Sequence, residues 1–369
     1  MSKMAPKNTN GHARVALKDK KGHARVALGL SGGVDSSVAV HLLQQAGHEV
    51  VGIHMRLVPE SGRDSQAASD AARVAEQFGI DFHILDAREA FVREVMQPFA
   101  DAYLSGQTPN PCVRCNAQIK FGVLWQEAQR LGCDMLATGH YVRITHGEDG
   151  HALTCAVDPA KDQSYFLWSI PRDMLAHILC PLGDHTKDET RAIAASLGLI
   201  TAGKKESQEI CFIPGDDYAA FLQEFSPDKL PGPGRFIDAD GNTLGEHQGA
   251  WRYTIGQRRG LGLALGYPAY VTATDLRTNT VSVGTNDALF ANGLCAHSIN
   301  LLAKEAQGGR ALIKVRSRDR GTPGSWTIDA GRLIVHFDSP VRAITPGQSI
   351  VLYDNGRVIG GGIIDHPLP

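Results

Sequence analysis

No stretch of the 369 residues is apolar for long enough to cross a membrane. The first residues also lack the continuous apolar core of a secretory signal. Neither charge is in excess: 37 Lys and Arg against 39 Asp and Glu leave a formal net charge of -2. A globally basic field is therefore excluded, and any contact with nucleic acid must come from local patches. Cysteine is sparse and odd in number, seven in all, without the dense spacing of a small secreted disulfide framework. The compartment reads as reducing and cytoplasmic, so each thiol has to be judged singly. The remaining composition, 43% hydrophobic and 21% charged, is that of a soluble globular protein long enough for two or three domains.

The string GHARVAL occurs at residues 11–17 and again at 22–28, and it does not recur, so no solenoid is implied. Only the second copy runs into a glycine-rich turn, which makes it the expected first strand and leaves 1–23 as a disordered tail. From Ala24 to about Ile200 apolar strands (ARVALGL, EVVGIHM, DFHILDA) alternate with amphipathic helices (SSVAVHLLQQAG, SDAARVAEQFG, IKFGVLWQEAQRLG). That alternation predicts an α/β domain with a parallel sheet covered on both faces, over 24–211. After Phe212 the texture becomes short β runs broken by turns such as DADGN and YDNGR. A small β-rich central domain over 212–285 and a C-terminal β-barrel over 286–369 are expected.

LGLSGGVDSS, Leu28 to Ser37, follows a strand and opens a helix. Gly32 and Gly33 permit a tight turn whose backbone N–H groups point at an anion, and the helix N-terminus adds more. Ser31, Ser36 and Ser37 can donate to phosphate oxygens. The loop has neither a Gly-Lys-Ser/Thr end nor Gly-x-Gly-x-x-Gly spacing, so it belongs to neither of the two commonest cradles. It resembles the SGGxDS signature of the PP-loop ATPases, which implies cleavage of ATP to AMP and pyrophosphate.

TPNPCVRCN, residues 108–116, sets Cys112 and Cys115 three apart. No second Cys-x-x-Cys completes a zinc tetrahedron, and the pair is misplaced for a thioredoxin-like dithiol. Lying between an extended TPNP and the helix from Ala117, Cys115 reads as a reactive thiolate with a lowered pKa. Cys211, in ESQEICFIPG, is the other informative thiol; alone it reads equally as a buried core cysteine. Cys133, Cys155, Cys180 and Cys295 read as core or incidental.

SGGVDSS, TPNPCVRCN, ATGHY, KDQSYFL, ICFIPG, YTIGQRRGLG and PGQSIVLYDNGRVIGGGII occur here in that order. Together they resemble the bacterial tRNA-uridine 2-sulfurtransferases, the 2-thiouridylases of the PP-loop superfamily, from about Ala24 to the C-terminus. The resemblance implies adenylation of the wobble uridine of the tRNAs for Lys, Glu and Gln, with ATP and Mg2+, and sulfur supplied by a persulfide relay protein. It makes Cys211 the persulfide carrier and Cys115 the partner thiol, with a Cys115–Cys211 disulfide left behind. Gly29, Leu30, Ser31, Gly32, Gly33, Val34, Asp35, Ser36, Met55 and Gly139 would surround ATP. Asn110, Pro111, Cys112, His140, Lys161, Asp162, Gln163, Arg316, Ser317 and Gln348 would contact tRNA. Cys112 departs from an Asp carried by many members. It either lines the base pocket or joins Cys115 and Cys211 as ligands of a 4Fe–4S cluster with one iron open. IKVRSRDR places Lys314, Arg316, Arg318 and Arg320 at alternate positions, one face of a strand if it is one. Two rival readings are a small-molecule PP-loop ligase, which leaves TPNPCVRCN and ICFIPG without a task, and a non-catalytic RNA-binding protein.

Overall fold

A computed structural model describes residues 23–58, 62–147, 150–204, 210–303 and 307–369. The first GHARVAL copy, and with it the expected tail as far as residue 22, lies outside the described residues. The second copy forms the first strand as expected. β1 (Arg25–Gly29) is followed by helix α1 (Val34–Gln45), β2 (Glu49–Arg56), helix α2 (Gly62–Phe78), β3 (Asp81–Asp86) and β4 (Met135–Ala137). A hairpin follows, β5 (Val142–Gly147) and β6 (Gly150–Cys155), and then the short β7 (Ile178–Leu179). The parallel sheet runs β3-β2-β1-β4-β7. Its central strand is wholly buried at Val26, Ala27 and Leu28, which is why the sequence there is a continuous apolar run and does not alternate. Strand order reverses between β1 and β4, so their two C-terminal loops flank the crevice where such sheets bind ligands.

Between β3 and β4 the chain forms one continuous helix from Pro111 to Arg130, an α turn over Pro111–Cys115, a wider π segment over Asn116–Val123 and an α segment over Leu124–Arg130. It starts earlier than the sequence suggested. Asn110 is the N-cap, its Oδ1 accepting from the Cys112 N–H at 3.2 Å, and Pro111 takes the first position, where no donor is needed. Prolines in TPNP thus begin the helix as well as stiffening its approach.

The hairpin β5–β6 leaves the parallel sheet. Thr154 of β6 pairs with Arg357, adding the hairpin to the sheet of the C-terminal unit. The middle of the chain holds a four-stranded sheet, β8 (Gly234–Ile237), β9 (Thr243–His247), β10 (Tyr270–Asp275) and β11 (Thr280–Gly284), in the order β10-β11-β8-β9. The last unit comprises β12 (Phe290–Leu301), β13 (Gly308–Lys314), β14 (Thr322–Asp329), β15 (Arg332–Arg342), β16 (Ser349–Asp354) and β17 (Arg357–Leu368). They run β12-β15-β14-β13-β16-β17, and the pairing of β12 with β17 closes the barrel, leaving no open edge between its first and last strands.

One sequence expectation fails here. The strand carrying Lys314 ends at Lys314, and residues 315–318 form a bend and turn. Arg316, Arg318 and Arg320 therefore do not share a strand face with it. Asp319 explains the break: its carboxylate accepts from the Val315 N–H at 3.4 Å and the Gly321 N–H at 3.0 Å, folding the segment back on itself.

Candidate active site

The loop after β1 is built as an anion cradle. Gly32 sits at φ +69°, and a Cβ there would lie 2.3 Å from the Ala67 carbonyl oxygen, so only glycine lets α2 pass this close. Gly33 is the N-cap of α1 and provides no side chain to its first N–H groups, which leaves them for a ligand. Ser36 Oγ accepts from the Ser31 N–H at 3.2 Å and donates to the Gly33 carbonyl at 3.2 Å, while Ser37 Oγ donates to the same carbonyl at 2.8 Å. The hydroxyls thus hold the turn in shape. Leu30 and Val34 are buried anchors, and Met55, the penultimate residue of β2, is half-buried.

The loop after β4 closes the other side. A Cβ on Gly139 would lie 3.0 Å from the Ser36 nitrogen, which puts ATGHY directly against the helix N-terminus. Gly29 and Gly139 thus belong to the crevice the topology defines.

Two cations that sequence inspection did not assign a role complete the cradle. Lys187 begins the helix Lys187–Ser196, has a side chain only 7% exposed, and donates to Asp35 Oδ1 at 2.7 Å; Tyr141 Oη donates to the same oxygen at 2.9 Å. Lys204 donates to the Gly32 carbonyl at 2.7 Å and pairs with buried Asp70. That contact holds the Asp70 carboxyl below its ordinary value. Neither lysine stands in a motif, so only folding reveals its partner.

The cysteine helix supplies a second centre. Cys115 is buried in an apolar cluster with Phe91, Phe99, Ile119, Phe212 and Ile213. Phe212 packs edge-on against Phe91 and Phe99 at ring separations of 5.6 and 5.4 Å, anchoring the chain immediately after Cys211 to the core that holds Cys115. The thiols of Cys112, Cys115 and Cys211 are all free, and each of the first two adds to the electrostatic burden on Cys211. Lys120, one helical region further on, faces all three and donates to His140 Nε2 at 3.2 Å. His140 Nδ1 lies 2.8 Å from Thr138 Oγ1. The ammonium at Nε2 requires the ring proton to sit on Nδ1, and burial with the nearby Lys120 charge holds the imidazole pKa well below its ordinary value.

The expected lowering of the Cys115 pKa is overturned. Burial pushes Cys112 and Cys115 up, and pushes Cys211 up to about 12, with Lys120 only partly offsetting it. Cys112 and Cys211 are exposed as residues, so their upward shifts come from the protein packed on one side of each thiol and not from full burial. Cys115 also sits at the end of the first helical segment, beyond the turn where the helix dipole acts. The sign follows. Between the ordinary value of 9.0 and about 12 the folded state keeps a proton on Cys211 that the unfolded state has lost. Stability contributed by this thiol is therefore intact below 9.0 and falls as pH rises toward about 12. Alkylation of Cys211 by iodoacetamide in the native protein should rise about tenfold per pH unit between roughly pH 7 and 10. A plateau near pH 9 would show instead that the thiol titrates normally.

The residues expected to contact tRNA divide by what they touch. Asn110 and Pro111 build the helix start. Asp162 Oδ1 accepts from the Ala156 N–H at 3.0 Å and its Oδ2 from Ser164 Oγ at 2.8 Å; Gln163 Oε1 accepts from the Tyr141 N–H at 2.9 Å. Gln348 Nε2 donates to the Thr108 carbonyl at 2.7 Å, and the Thr108 N–H donates to the Pro346 carbonyl at 2.9 Å, tying the barrel to TPNP. His140 is buried with both ring nitrogens engaged. Lys161 and Arg316 are half-buried and Ser317 is exposed. Asn116 Nδ2 donates to the Phe166 carbonyl at 2.9 Å, so KDQSYFL also braces the cysteine helix. Tyr165 is a core residue, as expected.

Residues 24–215 match the family described as the tRNA methyl transferase HUP domain, 219–285 the tRNA methyl transferase PRC-barrel domain, and 291–364 the aminomethyltransferase beta-barrel domain. The tRNA-specific 2-thiouridylase MnmA of Geobacter metallireducens is 45% identical over 91% of this chain and 95% of its own length. That of Clostridium perfringens is 42% identical over 92% and 97%. This likeness over more than nine-tenths of the chain shows that it belongs to the tRNA-specific 2-thiouridylases, ATP-using enzymes that put sulfur at position 2 of a tRNA uridine.

Proposed function

We propose that this chain acts on the wobble uridine through two chemical steps divided between the two centres. The uridine O2 attacks the α-phosphorus of ATP bound over Gly29–Ser36 and Gly139, and pyrophosphate leaves. The terminal sulfur of a Cys211 persulfide then bonds to C2, and AMP departs with the oxygen. Cys115 attacks the Cys211 sulfur, so the persulfide S–S bond breaks, a Cys115–Cys211 disulfide forms, and the released electron pair completes the thiocarbonyl. An external dithiol resets the pair. The observation that supports this reading is that Cys115 shares a core with Phe212, the residue after Cys211, and bears electrostatically on the Cys211 thiol.

Lys161, Arg316 and Ser317 are proposed tRNA contacts, with Asn110, Pro111, Cys112, His140, Asp162, Gln163 and Gln348 shaping the surface around the base. Mg2+ would accompany the triphosphate. The substrates are the tRNAs for Lys, Glu and Gln, a relay protein delivers the persulfide sulfur, and the setting is the cytoplasm; no helix among the described residues is long and apolar enough to cross a membrane. The proposed units are 24–211, 212–285 and 286–369. Cys112, Cys115 and Cys211 are soft donors suited to an iron–sulfur cluster, which would supply an open iron for sulfide. Single turnover with unmodified tRNA, ATP and a persulfide donor should yield one AMP per thiouridine in iron-free protein. Thiouridine without AMP would overturn the adenylation step. Activity that returns only with iron would replace the persulfide by the cluster.

A further inference from the structure

Cys295 reads from the sequence as a core or incidental thiol, and it is buried, but on the face of β12 away from the barrel core. Its neighbours Leu294 and Ala296 point into the barrel core. Alternation along β12 turns Cys295 to the opposite face, yet it is only 7% exposed. The cover comes from β17. Cys295 pairs with His366 and Ala296 with Ile364, so Asp365 is an extra residue in a β-bulge. A bulge lets two consecutive side chains face the same way. Asp365 and His366 therefore converge over Cys295, and the ligand atoms of all three lie within 4.8 Å of one another. Among the described residues no other group of His, Cys, Asp or Glu side chains gathers this tightly. The three active-site thiols do not.

The neighbourhood is arranged around these donors. Asp365 Oδ2 lies 3.4 Å from His366 Nδ1 and accepts from Arg332 Nη1 at 2.9 Å, which fixes the carboxylate on that side. On the same outer face, opposite Gly293, stands His336 of β15. A Cβ on Gly293 would lie 2.4 Å from the Val335 carbonyl oxygen, so glycine is what lets β15 approach this closely.

We propose that Cys295, Asp365 and His366 bind a borderline divalent cation of the zinc type across the β12–β17 seam. One sulfur, one oxygen and one nitrogen donor suit such an ion, while a thiolate ligand excludes a preference for magnesium or calcium. Binding displaces the thiol proton of Cys295 to solvent and leaves a fourth position for water or a further side chain. The seam joins the first and last strands of the barrel, so the ion cross-links its closure and stabilises the fold by mass action. The site lies apart from the ATP cradle and the three active-site thiols, and the inference stands whether or not the proposed sulfur chemistry does.

The test uses the full chain with Cys112, Cys115 and Cys211 changed to Ser, so that those soft donors cannot bind. Cobalt(II) added to metal-free protein should occupy one site, give a sulfur-to-cobalt charge-transfer band and be displaced by zinc. Cys295→Ser should abolish the band. His366→Ala, at an exposed position, should weaken binding by about 10–100-fold or more, as even loss of a supporting group does. Zinc should raise the unfolding temperature of the parent but of neither variant. An unchanged metal-free unfolding temperature in His366→Ala shows that the loss is one of ligation. No band in the parent, or a band that survives Cys295→Ser, would overturn the site.

Discussion

Serine at Cys211 is expected to abolish thiouridine formation, by at least about 10³-fold, while tRNA-dependent release of pyrophosphate persists. The hydroxyl is close in size to the thiol but cannot carry a sulfane sulfur. Because Cys211 is exposed as a residue and serine is close to it in size, the fold should tolerate the change. Cys115→Ser should produce the same loss for a different reason. Its persulfide can load on Cys211 but lacks the thiol assigned to break the bond, so a tRNA–enzyme adduct should accumulate, visible as a slower band on a non-reducing gel. The double variant should be no worse than either single one, since both residues serve one sequence of bonds. The raised pKa of Cys211 fits a carrier, whereas that of Cys115 requires its proton to be removed before it attacks. A thiol that stays protonated at neutral pH is a poor free nucleophile, and a persulfide placed on it gives the site a more acidic sulfur than the protein provides. Thiolation at wild-type rate in either single variant would remove that residue from the chemistry.

Asp35→Asn is expected to cut AMP formation by about 10²-fold or more, the cost of disordering a preorganised phosphate site. Asp35 Oδ1 gathers Lys187 at 2.7 Å and Tyr141 at 2.9 Å, joining the cradle to the helix at 187 and the loop after β4. Lys187 is 7% exposed in its side chain and Asp35 33%, so the ammonium depends on this carboxylate more than the reverse. Removing one partner of a buried pair costs about 3–5 kcal/mol, and the partial exposure of Asp35 puts this pair at the lower end. Tyr141→Phe deletes only a neutral donor and should cost about 0.5–1.5 kcal/mol. The comparison separates charge from hydrogen bonding. Equal AMP rates in Asp35→Asn and wild type would show that the pair is merely structural.

The glycine-rich turn, the cysteine loop and the alternation of strand and helix were legible because each depends on residues close in the chain. Gly32 is needed for a positive φ, and an apolar run such as Arg25–Gly29 marks a strand buried on both faces. Such requirements leave local traces in composition and spacing. The sequence places the start of the cysteine helix too late because TPNP reads as extended, whereas Pro111 at the first helical position is favourable. The stripe from Lys314 was misjudged because alternation alone does not make a strand, and Asp319 turns the chain first.

The order of motifs along the chain determined the family and pointed to the glycine-rich loop and the three thiols as its candidate site. Tertiary structure alone decided which charges meet them. Lys187 on Asp35, Lys204 on Gly32 and Lys120 before the cysteines all come from distant or unmarked positions. The same holds for the direction of the thiol pKa shifts, since desolvation depends on what folds over a sulfur. The closure of the barrel and the convergence of Cys295, Asp365 and His366 follow from a bulge and a pairing that only the folded register contains. Local backbone preference acts over a few residues, whereas charge pairing, burial and ligand geometry act through space.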